Sequence, residues 1–207
     1  MGILRPFHHF FFLSMASSST STSTRPVEDV WNYPRPAILE PCADPIRIVF
    51  NGVEVVNTTN GYRALETSHA PTYYIPIADL SSDVTLEESA GGGSFCEWKG
   101  SAVYVDLVVG NKRSKRAGWK YPSPTTRTNP NQEHGWANYG TGENKGTGGS
   151  FAPLADCIAF YATKVDEVYV ADEKSTPQDG GFYGGWINSW ISGGRRGIKG
   201  AVGTSHY

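Results

Sequence analysis

Two short blocks hold most of the side chains with chemical reach: Arg63-Ala64-Leu65-Glu66-Thr67-Ser68-His69, and Cys96-Glu97-Trp98-Lys99-Gly100. A glutamate in a partly apolar pocket is a usable general base, and an imidazole titrates near neutral pH, so Glu66 and His69 together suggest proton transfer. In an extended strand these two residues, three apart, face opposite sides. A bend before Pro71 is needed to bring them together. Lys99, set between Trp98 and Gly100, suits either a desolvated amine acting as base or Schiff-base former, or an anchor for an anionic ligand. The plain alternatives are that Glu66 pairs with Arg63 or Lys99, that His69 caps a turn, and that Lys99 is a solvated strand residue. Trp98, Trp119 and Tyr121 offer aromatic faces for a planar ligand or, equally, ordinary core. The expected catalytic set is Glu66, His69 and Lys99. The expected ligand-binding set is Arg63, Tyr74, Trp98, Trp119 and Tyr121.

Other chemistries find less support. Cys96 has no neighbouring Cys or His in a redox arrangement, and a free cysteine commonly serves as a small buried hydrophobe. A metal site from His69, Cys96 and His134 would require three distant loops to converge, and Cys42, Cys96 and Cys157 form neither a Cys-x-x-Cys pair nor a disulfide framework. No metal and no cofactor are expected. Gly140 to Gly146 is glycine-rich but lacks the Gly-Lys-Ser/Thr order and the strand-to-helix setting of a phosphate loop.

The elements that must position these groups read as strands. Ile46–Phe50 and Val53–Val56 flank Asn51-Gly52, a dipeptide suited to a type I′ hairpin turn. Ala102–Val109 runs into Gly110-Asn111 and returns through Arg116 to Tyr121, with the basic cluster from Lys112 to Arg116 on the exposed turn. Tyr73–Ile75, Cys157–Tyr161 and Val165–Val170 are further strand candidates. No sustained helical period occurs, although Ala78 to Glu88 has room for a short helical turn. Residues 123–150, rich in Pro, Thr, Asn and Gly, read as a long surface loop in which Glu133, His134, Trp136 and Tyr139 are available to close on a ligand. From Gly180 onward glycines alternate with Phe182, Tyr183, Trp186 and Trp190, an aromatic content that favours packing back on the domain.

The 207 residues include 18 Lys+Arg and 20 Asp+Glu, a formal charge of −2 that supplies no field for gripping a polyanion. Nucleic acid is therefore an unfavoured partner. The longest apolar run, Phe10 to Leu13, is far short of a membrane span. Residues 1–24 carry Arg5, His8, His9 and many Ser and Thr but no acidic residue. They read as a disordered tail, with an organellar targeting segment as the alternative and Met15 as a second candidate start. The expected compartment is the cytoplasm.

The blocks resemble a known family. Arg35-Pro36, Glu66-Thr67-Ser68-His69, Tyr73-Tyr74-Ile75-Pro76, Trp98-Lys99-Gly100, Trp119-x-Tyr121-Pro122 and Ala159-Phe160-Tyr161, in that order between Arg35 and Val170, resemble the domain of unknown function 427 family, which carries a nucleotidyltransferase-like label without a demonstrated activity. The resemblance implies a small, mainly β fold of two antiparallel sheets, similar to the Mss4-like or β-tent architecture but without its structural zinc. Family members often have His-Cys-Pro where this chain has Phe95-Cys96-Glu97, so any role of that histidine is missing. The expected organisation is a tail over 1–30, one β domain over 35–175 and a C-terminal extension over 176–207.

Three functions are compatible with this reading. The first is a small-molecule enzyme using acid/base chemistry in an aromatic-lined pocket, of isomerase, cyclase or lyase type. The second is a non-catalytic module that binds a small organic molecule. The third is a protein-interaction domain presenting the basic turn and the aromatic tail. Homodimerisation is left open.

Overall fold

A computed structural model describes residues 25–126 and 150–204. The expectations for the tail over 1–24, for Glu133, His134, Trp136 and Tyr139 and for the glycine-rich run at 140–146 lie outside the described residues. So does most of the expected 123–150 loop.

Strand character follows from β-branched and aromatic residues with alternating burial. In β3 (Ile46–Phe50) Ile46, Ile48 and Phe50 are buried while Arg47 and Val49 are only partly so, the period of two that places one face on a core. It pairs antiparallel with β4 (Val53–Thr58). Asn51 and Gly52 both take positive φ, 53° and 72°, as a type I′ turn requires. On its other side β3 pairs with β12 (Glu167–Val170), which is followed by β13 (Glu173–Lys174), making a four-stranded antiparallel sheet.

The larger sheet runs in the order β2 (Ile38–Pro41), β5 (Tyr62–Leu65), β6 (Thr72–Pro76), β11 (Cys157–Phe160), β10 (Lys112–Lys120), β9 (Gly100–Val109) and β7 (Val84–Glu88). A short strand, β8 (Ser94–Cys96), pairs on β9. All of these pairs are antiparallel. Two small ladders complete the described structure: β14 (Thr176–Pro177) with β15 (Trp186–Ile187), antiparallel, and β1 (Glu28–Asp29) with β16 (Ile191–Ser192), parallel. The described residues are thus mainly β, in several antiparallel sheets, with 3-10 turns and no α-helix. No helix among them is long and apolar enough to cross a membrane.

Alternation along the large sheet separates two cores. Tyr73, Ile75, Ile158 and Phe160 pack with Ile46, Ile48, Val168 and Val170 between the sheets. Ala64, Tyr74, Cys157 and Ala159 pack on the opposite face with Tyr104, Trp119 and Tyr121. The β9–β10 register is irregular between Ser114 and Gly118. Ala117 accordingly joins the first core and Trp119, two residues on, the second, because a bulge interrupts the strict alternation of faces.

Three expectations need correction. Between Ala78 and Glu88 a 3-10 turn, Ile77–Asp79, gives way to strand β7, since Val84 to Glu88 finds a ladder partner in β9 and a helix would leave that edge open. The basic run does not sit on a turn but forms the start of β10. There Lys112 pairs with Asp166, Arg113 with Glu87 and Asp106, and Arg116 lies over Tyr104. A domain starting at residue 35 begins too late: β1 is paired, and Val30 and Tyr33 are fully buried. Residues after 175 pack on the sheets: Trp186 is wholly buried and its indole N–H donates to the Phe160 carbonyl at 3.0 Å.

Candidate active site

The second core opens into a cleft of about 330 Å³ whose lining includes Glu66, His69, Tyr74, Trp98, Lys99, Trp119 and Tyr121. These residues arrive largely from three connections. The β5–β6 connection supplies Glu66 and His69, the three-residue β8–β9 link supplies Trp98 and Lys99, and the end of β10 supplies Trp119 and Tyr121.

The bend needed before Pro71 is a tight turn in which the His69 amide donates to the Glu66 carbonyl at 3.0 Å. Ser68 takes φ 71°, the positive value at the third turn position that usually calls for Gly or Asn. Surrounding hydrogen bonds hold this conformation. The Thr67 amide donates to Pro34, the Ser68 amide to Val30, and the Lys199 amide to the Ser68 carbonyl. Both ends of the described chain therefore clamp the turn. The β8–β9 link closes on Gly100 at φ 100°, where a residue with a Cβ is strained.

The turn places His69 Nδ1 4.0 Å from Glu66 Oε1 and 3.0 Å from the Thr67 carbonyl oxygen. A carbonyl can only accept, so Nδ1 carries the proton and Nε2 keeps a lone pair. Burial lowers the His69 pKa below the usual imidazole value; Glu66 and the Thr67 carbonyl oppose this, and Lys199 and Lys99 reinforce it. His69 is a neutral imidazole at pH 7. Glu66 does not pair with Arg63. Its Oε1 accepts from the Trp98 indole N–H at 3.2 Å.

Lys99 is 9% exposed. Burial pulls its pKa down, but interactions with Cys96, Tyr121 and Glu66 outweigh this and raise it above the ordinary lysine value. That direction favours an ammonium that binds and stabilises negative charge over a free amine serving as base or Schiff-base former. No carboxylate lies within ion-pair distance of Lys99 among the described residues. The Phe151 ring sits 5.7 Å from its nitrogen.

The walls are aromatic. Trp119 and Tyr161 have ring centroids 4.5 Å apart, and Tyr74 stands edge-on to Trp119 at 6.4 Å. Tyr74 is fully buried; its hydroxyl lies close enough to Trp119 and Tyr121 to interact with both but makes no well-formed hydrogen bond among the described residues. Burial holds the Tyr74 and Tyr121 phenols protonated.

Arg63 does not join this cleft. Its guanidinium turns to the other side of the sheet edge, donating to Glu40 at 2.5 Å and to Glu28 at 2.9 Å, because a buried guanidinium requires carboxylate partners. Several lining residues were not anticipated from sequence: Gln178, Phe182, Tyr183, Gly184, Gly185 and Lys199. The Gln178 side chain accepts from the Ala70 amide and donates to the Lys199 carbonyl, and the Tyr161 hydroxyl donates to the Phe182 carbonyl. Together these bonds strap residues 178–185 across one side of the cleft. Among the described residues no group of three or more His, Cys, Asp or Glu is arranged to hold a metal.

Residues 38–138 match the model of the family described as a domain of unknown function (DUF427), to which this part of the chain is similar. No curated protein matches the chain.

Proposed function

We propose that this protein is an enzyme that moves a proton within a small organic molecule, an isomerisation, cyclisation or elimination carried out in the aromatic cleft. The observation that carries the reading is the convergence on one cavity of a neutral imidazole, a carboxylate 4.0 Å from it and a buried ammonium with no carboxylate partner among the described residues. His69 Nε2 takes the proton from the substrate. The bonding pair stays on the substrate as delocalised negative charge, which Lys99 stabilises. Glu66 stabilises the imidazolium formed. The proton is then returned to a different atom or to a leaving group, so no external oxidant or reductant is required.

Deuterium incorporation tests this even while the substrate is unidentified. Purified protein is incubated in D2O with a small-molecule extract, and compounds that gain label or change structure are identified by mass spectrometry. Glu66→Gln and His69→Asn should each reduce labelling by roughly 10²–10⁴-fold, the usual range for a general acid or base, with an unchanged circular dichroism spectrum. Labelling that persists in both variants defeats the acid/base reading. Retained ligand binding with no protein-dependent labelling assigns the cleft to a binding module.

A further inference from the structure

We infer that the ligand of this cleft is a planar organic anion, a carboxylate on a conjugated or aromatic body, with its acidic group seated against Lys99 Nζ and Tyr74 Oη. This rests on the cleft being the functional site and adds the chemical class of what fills it.

Charge accounting leads to the anion. Two carboxylates and two ammonium groups line the cleft: Glu66, Glu97, Lys99 and Lys199. Glu97 is drawn outward to Arg35 at 3.3 Å, where both side chains are well exposed. Glu66 accepts the Trp98 indole N–H. Lys199 lies beside the Tyr183 ring at 5.6 Å. Lys99 is left as the most buried of the four, with no carboxylate in reach among the described residues. Glu66 attracts it without coming within ion-pair distance, and a buried charge with no partner in direct contact is costly, so the site gains from a ligand that supplies one at contact.

A second, independent feature belongs to the same cleft. The Tyr74 hydroxyl is fully buried and, beyond its approach to Trp119 and Tyr121, makes no well-formed hydrogen bond among the described residues, whereas buried polar atoms normally make one. A phenol held protonated is a ready donor to a carboxylate oxygen. The shape of the ligand follows from the walls. Trp98, Trp119, Tyr121 and Tyr161 present ring faces and edges on the same cavity, and these suit a flat apolar body better than a flexible or strongly hydrated one.

The test uses the full chain near neutral pH with matched pairs of probes: trans-cinnamate, 4-hydroxybenzoate and indole-3-carboxylate, each beside its own primary amide. Binding is read by isothermal titration and by quenching of tryptophan emission. At least one carboxylate should bind more tightly than about 1 mM, with its amide about tenfold weaker or more. Lys99→Met should lose about tenfold for the carboxylate and nothing for the amide, and Tyr74→Phe several-fold. Equal binding of acid and amide, or no carboxylate binding below about 1 mM, overturns the inference. The acid–amide comparison on the unaltered protein decides the matter even if Lys99→Met folds poorly. Failure of anion binding with Glu66- and His69-dependent labelling intact removes the substrate class alone. Anion binding without such labelling removes the enzymatic reading alone.

Discussion

His69 shows how a single residue's surroundings select its role. Its ordinary value is 6.5 and burial lowers it in the folded protein, so between the two values the unfolded chain binds more protons than the folded one. Stability from this group is complete above the unfolded value and falls as pH drops from there towards the folded value. Thermal midpoints measured near pH 7.5 and near pH 5.5 should therefore differ less in His69→Asn than in the unaltered protein. An equal or larger difference in the variant would contradict a buried neutral imidazole. Lys99 contrasts with it. Deep burial there is outweighed by interactions with Cys96, Tyr121 and Glu66, and the group remains an ammonium. The residue types at 66, 69 and 99 were legible from sequence as proton-transfer and charge-stabilising groups. The division of labour between them was not, because it depends on what each side chain faces after folding. Arg63 illustrates the limit: only three residues before Glu66, it is turned by strand alternation towards Glu28 and Glu40.

Among the elements, those with strong local signals were readable from sequence. The β3–β4 hairpin was evident from Asn51-Gly52 between β-branched runs, and the β9–β10 pair from its length and its Gly-Asn turn. The short ladders β1–β16 and β14–β15 were not, since strands of two residues carry no periodicity and depend on partners more than a hundred residues away or on a glycine-rich stretch. The bulge between Ser114 and Gly118 was equally hidden, yet it directs Trp119 into the cleft. Gly184 completes that arrangement: a Cβ there would lie 1.9 Å from the Trp119 ring. Gly184→Ala should cost about 1–3 kcal/mol, as overpacking does, and should shift tryptophan emission. Chemical denaturation and fluorescence of the variant check both. Unchanged stability together with unchanged emission would show that the strap does not press on Trp119.

For the whole molecule, the segments before β2 and after β13 belong to the same body as the two larger sheets. Val30, Tyr33, Trp186, Trp190 and Ile191 all lie in the core between the sheets. A chain ending at residue 175 would lose Trp186 and its bond to Phe160, along with the Lys199 amide that holds the turn carrying Glu66 and His69. Removing one buried Trp side chain already costs about 3–5 kcal/mol, a large share of the roughly 5–15 kcal/mol that a domain typically has. The truncated chain should be insoluble or molten, lacking near-ultraviolet circular dichroism. A cooperatively unfolding 1–175 fragment would show that the two larger sheets stand alone.

The strap over residues 178–185 is held by a few side-chain hydrogen bonds and is rich in glycine, yet it walls the cleft. Opening of such a segment and occupancy of the space beneath it are thermodynamically linked: a ligand at a hundred times its dissociation constant deepens the closed state by about 2.7 kcal/mol. Backbone amides of the strap that exchange with solvent through local opening should then slow by about two orders of magnitude on saturation, while those of β3 and β12 stay as they were. Hydrogen–deuterium exchange would thus report binding at a place in the chain where no ligand atom need touch, and would give a readout for compounds whose chemistry is still unknown.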